Sequence, residues 1–214
     1  MKEILEIFRA GHHEFENGRL DHIPSDSPFK LFESWVKDAH DAVEVESNAF
    51  TLSTVNSIGQ PSSRIVYLKD IIDQKFVFYT NYSSDKGNDI AENNLVSMSF
   101  FWPNTARQIH VCGVCTKVES SISDDYFSSR PRGSQIGAWA SDQSEILKDR
   151  VVLEERVSHF EKIYPAAVPR PNHWGGYNIQ PTKFEFWQGR PSRLHDRVVF
   201  EPSGDKWTAF RKNP

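Results

Sequence analysis

From Ala49 onward, apolar residues recur at alternate positions in short runs broken by turn formers, and this period of two constrains the fold more than any other feature. Phe50–Val55 alternates, Asn56-Ser57-Ile58-Gly59 turns, and Ser63–Lys69 pairs back as a hairpin. Lys75–Thr80, Leu95–Trp102, Gln108–Glu119, Lys183–Gln188, Arg197–Glu201 and Lys206–Phe210 are further strands, the last two joined by a Pro-Ser-Gly-Asp turn. Helical spacing interrupts them. Ser27 caps a helix with Pro28 in its first turn and an apolar stripe of Phe29, Phe32, Trp35, Val36 and Ala39, running to about Val43. Ser84–Asn93 is a short helix, helix-capping chemistry returns at Ser123-Asp124-Asp125, and Val151–Tyr164 is a longer amphipathic helix. Consecutive hairpins with inserted helices predict an α+β, mainly β chain whose sheet is an antiparallel barrel or sandwich, not a parallel one. Residues 1–26 are polar and irregular, with His12, His13, Asn17, Gly18 and Pro24, and read as a mobile arm. No internal repeat or linker follows, so 27–214 is expected to be a single domain.

Charge and cysteine content exclude several functions. A net charge of −4 gives no global attraction to nucleic acid or anionic lipid, so any anion site must be a local concentration of Arg and Lys. The N-terminal apolar run carries Glu3 and Glu6 and lacks the shape of a signal peptide, no stretch is long enough to span a membrane, and a cytoplasmic protein is expected. The only cysteines form Cys112-Gly113-Val114-Cys115. That run is β-branched and strand-like, so residues three apart point to opposite faces and the sulfurs diverge. Buried strand thiols are the expectation; a bulge at Gly113 would be needed for a redox or metal role.

Neither G-x-G-x-x-G nor G-x-x-x-x-G-K-[ST] occurs, nor G-x-S-x-G or H-E-x-x-H, which removes the common dinucleotide, P-loop, hydrolase and zincin readings. Four basic and polar clusters remain: Arg64–Lys69, Tyr79–Lys86, Tyr126–Ser134 and Arg193–Arg197. Arg64 and Lys69, five apart on one strand, face opposite sides and serve two different anions. Tyr79, Thr80, Ser83 and Lys86 combine hydroxyls, main-chain N–H groups and a cation at a helix start, which makes a phosphate cradle. Arg130 and Ser134 are four apart with Tyr126 one turn earlier, so a helical turn brings Tyr, Arg and Ser to one face, a set suited to a phosphate monoester. Two anion sites in an acidic chain imply a phosphorylated cofactor and a phosphorylated substrate.

Ser129-Arg-Pro-Arg-Gly-Ser-Gln-Ile-Gly-Ala-Trp-Ala-Ser141, Gln143-Ser144, Trp174-Gly-Gly-Tyr177 and Glu185-Phe-Trp-Gln-Gly189 followed by Arg193-Leu-His-Asp-Arg197 resemble the pyridoxine/pyridoxamine 5′-phosphate oxidase family, in order and spacing, from about Ser27 to Pro214. The resemblance implies an antiparallel split β-barrel of the FMN-binding type with flanking helices, and a homodimer with FMN at the subunit interface. It implies oxidation of pyridoxamine or pyridoxine 5′-phosphate to pyridoxal 5′-phosphate, with dioxygen as acceptor and hydrogen peroxide released. Arg64, Ile65, Val66, Tyr67, Leu68, Lys69, Tyr79, Thr80, Lys86, Gln108, Gln143, Ser144, Trp187 and Arg197 fall at the family's cofactor-binding stretches. Lys69, Tyr126, Arg130 and Ser134 fall where the family grips the substrate phosphate, and Arg193 and His195 where it lies over the substrate ring and its reacting carbon, as the catalytic pair. Two departures stand out. Asp85 replaces the Arg that usually precedes the Lys of the FMN-phosphate turn, removing a cation and adding repulsion. In the arm, His12 and Phe15 align with the family's Arg and Tyr that fold over the substrate.

Three other readings compete. A phenazine-biosynthesis flavin oxidase shares the scaffold, but its substrate is not phosphorylated and needs no Arg130-Pro-Arg-Gly-Ser134 grip. A non-catalytic flavin or pyridoxal-phosphate binding protein would not need Arg193 and His195. A single-stranded nucleic-acid binder would use exposed aromatics and basic strands, against the net charge.

Overall fold

Alternation across the pleat sends Phe50, Leu52 and Thr54 of strand β1 (Ala49–Val55) inward and leaves its other side chains half-buried. Its hairpin partner β2 (Pro61–Tyr67) lies at the edge of the sheet, where Ile65 and Tyr67 stay exposed. The computed structural model describes residues 15, 18–23 and 27–214. Most of the arm expected over 1–26, including His12, His13, Asn17 and Pro24, lies outside the described residues. The remaining strands are β3 (Asp70–Ile72), β4 (Lys75–Asn81), β5 (Leu95–Trp102), β6 (Arg107–Lys117), β7 (Trp174–Gln188), β8 (Asp196–Ser203) and β9 (Lys206–Lys212). Hydrogen bonding orders them β2-β1-β5-β6-β7-β4-β3, with β8 on β7 and β9 on β8. The pairings of β1 with β2 and β5, of β4 with β3 and β7, and of β8 with β7 and β9 are antiparallel. Five α-helices flank the sheet among the described residues: α1 (Pro28–Asp41), α2 (Asp85–Glu92), α3 (Ser120–Ser129), α4 (Arg132–Ala140) and α5 (Arg150–Ile163). The expected mainly-β, antiparallel architecture is what the chain adopts.

The chain divides into two compact units. One comprises the described residues up to Ser47, Phe100–His110 and Lys183–Pro214. Its core is the aromatic stripe of α1 set against the sheet: Phe29 edge-on to Phe184 (5.2 Å), Phe32 to Phe100 (5.4 Å) and Trp35 to Phe186 (5.3 Å). The α1 stripe is thus core packing. The second unit comprises Asn48–Ser99 and Val111–Thr182. Phe50, Phe78 and Tyr177 fill its sheet core. Phe127, Ile136, Val168 and Trp174 form a second cluster between its helices and β7.

Four expectations need correction. β7 begins at Trp174, not Lys183. Gly175, Gly176 and Pro181 break the alternation there, but a Cβ on Gly175 would lie 2.2 Å from the Tyr82 hydroxyl, so the glycines mark a close approach inside a strand. Asp70–Ile72 is a strand too short to show a period, and the strand expected over Ser63–Lys69 ends at Tyr67. Helix α3 starts before Ser123; the buried Ser123 hydroxyl instead accepts the Gly176 N–H at 3.0 Å, tying α3 to β7. In β6 burial alternates without a bulge at Gly113, where a Cβ would meet the Gln180 carbonyl at 2.6 Å. Cys115 is buried and Cys112 half-buried on the opposite face, both as free thiols, and burial pushes the Cys115 thiol up.

Candidate active site

In the second unit, the edge strand β2, the end of β4, the start of α2 and the α3–α4 corner enclose a cavity of about 780 Å³. β2 and the residues after it contribute Arg64, Ile65, Val66, Tyr67 and Lys69. β4 contributes Tyr79, Thr80 and Asn81, and α2 contributes Asp85 and Lys86. Tyr126, Arg130 and Ser134 come from the α3–α4 region, Gln143 and Ser144 from the loop after α4. Thirteen of the residues expected to bind cofactor or substrate, and Asp85 with them, therefore line one cavity.

Arg64 is held rigidly. Its Nη1 donates to Thr54 Oγ1 at 2.7 Å and its Nη2 to Ser62 Oγ at 2.5 Å, and Thr54 in turn donates to the buried Asp89 carboxylate at 2.6 Å. Lys86, second residue of α2, is buried and donates to Ser84 Oγ (3.0 Å) and Gln143 Oε1 (3.1 Å). Thr80 Oγ1 donates to the same Gln143 oxygen at 3.2 Å, and the Asp85 N–H donates to Ser144 Oγ at 3.2 Å, so the loop after α4 is tied to the start of α2. Burial, then the nearby Arg64, pushes Lys86 down to about 8, while Asp85 opposes the shift. Arg64 is likewise lowered by burial, against Asp89 and Asp85. Two cations this uncomfortable together favour an anion as their neighbour. Arg64 and Lys69 do not serve separate faces as expected: β2 ends at Tyr67, the Lys69 N–H bonds to Val77 O at 2.8 Å, and the turn brings Lys69 to the same cavity. Ser83 is exposed and does not line it.

Arg130 sits differently. Pro131 cannot continue α3 and forces extended backbone on the residue before it, so Arg130 caps α3 (ψ 148°) and Pro131 opens α4. Tyr126, Arg130 and Ser134 thus meet across a helix break, not along the single turn expected from their spacing. Tyr79, Tyr126 and Trp174 stack nearly parallel, with Tyr79 and Tyr126 3.8 Å apart and Tyr79 and Trp174 5.6 Å apart. The Arg130 guanidinium lies 4.5 Å from the Trp174 ring centre. Its Nη1 is buried and, alone among the buried side-chain nitrogen and oxygen atoms of the described residues, has no hydrogen-bond partner. Burial lowers the Arg130 pKa and raises that of Tyr79 to about 12. Arg132, from the same motif, is spent on the Ala166 and Tyr164 carbonyls. Asn81, Gly137, Ala138, Ser141 and Trp174 also line the cavity and were not singled out. Gly137, Ala138, Ser141 and Trp174 fall in runs that carry the family resemblance, and Asn81 in the Tyr79–Lys86 cluster, but nothing in their own chemistry marked them as lining residues.

Leu68 does not line the cavity; its main chain pairs with Asn48 through N–H and carbonyl. Gln108, Trp187, Arg193, His195 and Arg197 belong to the other unit and are also absent from the lining. There, Trp187 and His195 rings lie 4.5 Å apart, and Phe15 meets both edge-on at 5.8 and 6.1 Å. Ser192 and the exposed Arg193 both have positive φ (56° and 59°), a conformation that non-glycine residues hold only at a cost. Asp196 and Arg197, its neighbours in sequence, do not hydrogen-bond His195. Asp196 accepts the Leu20 N–H at 3.1 Å, and Arg197 binds Glu185 at 2.5 and 2.8 Å and the Asn213 carbonyl at 3.1 Å.

An antiparallel sheet of this order, carrying a cation-rich cavity lined by stacked aromatics, is the architecture of the split-barrel oxidoreductases with which the chain compares. Residues 36–164 match the family model described as pyridoxamine 5′-phosphate oxidase, and 174–214 match that of the pyridoxine 5′-phosphate oxidase C-terminal dimerisation region. The chain belongs to the pyridoxine/pyridoxamine 5′-phosphate oxidase family. It is 51% identical over 217 residues to the protein of that name from Cytophaga hutchinsonii, covering 100% of both chains. The Bordetella pertussis protein of the same name is 52% identical over 190 residues, covering 88% of this chain and 90% of the other. Among solved structures, PhzG from Burkholderia lata 383, crystallised with tetrahydrophenazine-1-carboxylic acid, superposes with a TM-score of 0.85 at 30% identity, over 92% of this chain and 100% of that one. A pyridoxamine 5′-phosphate oxidase-related, FMN-binding protein from Nostoc punctiforme shares the fold, with a TM-score of 0.71 at 15% identity over 89% and 100% of the two chains.

Proposed function

We propose that this chain is an FMN-dependent oxidase converting pyridoxamine or pyridoxine 5′-phosphate into pyridoxal 5′-phosphate, with dioxygen as acceptor and hydrogen peroxide as second product. The observation that carries the reading is the buried, unpartnered Nη1 of Arg130 in a cavity that also holds Arg64 and Lys86. A buried guanidinium N–H without a partner costs stability unless an acceptor meets it, and a phosphate monoester supplies oxygens of the right charge. Two sets of cations on different elements suit two phosphates, one on the cofactor and one on the substrate.

The donor set fits FMN. Arg64 and Lys86 would neutralise its phosphate, Thr80, Gln143 and Ser144 would add hydrogen bonds, and Ile65, Val66, Tyr67 and Tyr79 would flank it along β2 and β4, with Leu68 outside the cavity holding the end of β2 through Asn48. When bound, FMN supplies the two-electron redox chemistry, with dioxygen as the final acceptor. Lys69, Tyr126, Arg130 and Ser134 would hold the substrate phosphate and so fix the pyridine ring. Arg193 would orient the substrate and stabilise charge near C4′, and His195 would hydrogen-bond the amine or hydroxyl there. Gln108, Trp187 and Arg197 complete the proposed flavin contacts. The family's dimerisation region contains Trp187, Arg193, His195 and Arg197, and the exposed Ile65 and Tyr67 of edge strand β2 give an apolar surface for a second subunit. The reading is therefore of a homodimer with FMN at the subunit interface. Two free cysteines and the absence, among the described residues, of a helix long and apolar enough to cross a membrane accord with work in the cytoplasm. The unpartnered Arg130 favours this substrate over a phenazine precursor, which has no phosphate to meet it.

The purified protein should be yellow, and anaerobic pyridoxamine 5′-phosphate should bleach the flavin band. A colourless protein that cannot be reconstituted with FMN and leaves phosphorylated B6 vitamers unchanged would sink the reading.

A further inference from the structure

The main-chain N–H of Arg190, in extended backbone at φ −138°, donates to His195 Nδ1 at 3.0 Å. A main-chain N–H can only donate, so Nδ1 must offer its lone pair, and the proton of the neutral ring must sit on Nε2. Among the described residues no carboxylate takes the place of that donor. Asp196, the neighbouring acid, is turned to the Leu20 N–H at 3.1 Å and lies 3.5 and 3.7 Å from Arg211 and Arg190. An Asp–His arrangement would make the ring a base; an N–H–His arrangement does the reverse. Trp187 and Phe15 hold the ring plane, and the imidazolium is disfavoured by burial and then by Arg193.

We infer that His195 acts as a hydrogen-bond donor through Nε2–H rather than as a proton acceptor, and that the Arg190 main chain is the positioning group that fixes this tautomer. The group it meets must then bring a lone pair. On the reading given under Proposed function, on which this step rests, that group is the C4′ amine as the free base or the C4′ hydroxyl oxygen. An ammonium ion, having no lone pair, would be turned away. The proton later lost from the amine goes to solvent, because Nε2 already carries one and Nδ1 is engaged.

The tautomer is read directly from long-range proton–nitrogen correlation spectra of the full-length protein labelled with ¹⁵N-histidine, His195 being assigned by the signals lost in His195→Gln. A pyridine-type Nδ1 and a pyrrole-type Nε2 at neutral pH are expected. A protonated Nδ1, alone or in an imidazolium, overturns the inference. Kinetically, His195→Gln keeps an N–H donor and should hold anaerobic flavin reduction by pyridoxamine 5′-phosphate within about tenfold of the parent, whereas His195→Ala should lose about 10²-fold or more. Equal losses in the two variants overturn the donor role. If no B6 vitamer reduces the flavin in the parent protein, the substrate reading fails while the spectra still decide the tautomer.

Discussion

Lys86 shows how burial sets the charge of a residue proposed to bind phosphate. Its pKa falls from 10.5 to about 8 through burial and the neighbouring Arg64, so in the flavin-free protein it begins to lose its proton just above neutrality. The unfolded chain keeps that proton up to the ordinary value, so between about 8 and 10.5 this group makes the flavin-free fold more stable as pH rises. Anion binding has the opposite sign. A phosphate favours the charged lysine, so above pH 8 binding must take up a proton, and affinity should weaken by up to about tenfold per pH unit. FMN titrations followed by flavin fluorescence should be flat near pH 7 and fall off beyond 8. Lys86→Gln should bind more weakly throughout and lose that alkaline step; an unchanged step would assign it elsewhere. Arg130 makes a different prediction, because its Nη1 is buried without a partner. Arg130→Met keeps the stem against Trp174 but removes the charged donor. It should raise KM for the phosphorylated substrate about ten- to a hundredfold, the worth of hydrogen bonds to a charged group, and leave flavin content unchanged. Loss of flavin in parallel would move Arg130 to the cofactor's phosphate.

Among the elements, β7 carries the most information and was the least legible. An ideal Cβ on Gly176 would lie 2.7 Å from Val118 Cγ2 and 2.8 Å from Tyr79 Cε1, so the bare backbone is what lets the Tyr79 ring reach its stack. Gly176→Ala should cost about 1–3 kcal/mol by overpacking, seen as a Tm lower by about 2–4 °C for each kcal/mol. It should also disturb the wall shared by Tyr79 and Tyr126; an unchanged Tm would mean that the ring yields freely. The same glycines explain what the sequence concealed. Strands with regular alternation, such as Phe50–Val55 and Leu95–Trp102, were legible because one face is buried and the other is not. The first half of β7 reads as loop because its residues answer to neighbours brought by the fold, Tyr82 and Ser123 against Gly175 and Tyr79 and Val118 against Gly176. In the cavity the cations were legible, since Arg and Lys at strand ends in an acidic chain demand a reason. Asn81, Ala138 and Ser141 were not, because small or neutral lining residues leave no mark in charge or period. Nor could spacing show that Pro131 divides α3 from α4, which changes how Tyr126, Arg130 and Ser134 come together.

At the scale of the whole molecule, the residues proposed to grip the substrate phosphate and those proposed to act on its reacting carbon belong to different compact units. Arg130 lies in the unit that holds the cavity, and Arg193 lies in the segment matching the family's dimerisation region. The site would be shared if one subunit of the proposed dimer supplied the cavity and its partner supplied Arg193, and mixing two defective variants tests that arrangement. Arg130→Met and Arg193→Ala homodimers should each oxidise pyridoxamine 5′-phosphate poorly. In a mixed dimer one site combines both defects, while the other combines an intact Arg130 with an intact Arg193. Random assortment makes about half of the dimers mixed, so activity should recover to about a quarter of the parent rate. If both residues served a site within one chain, every site in a mixed dimer would keep one defect and no recovery would follow. The result turns only on which chain carries each arginine, so it separates a shared site from a self-contained one even if the substrate is bound in an unexpected pose.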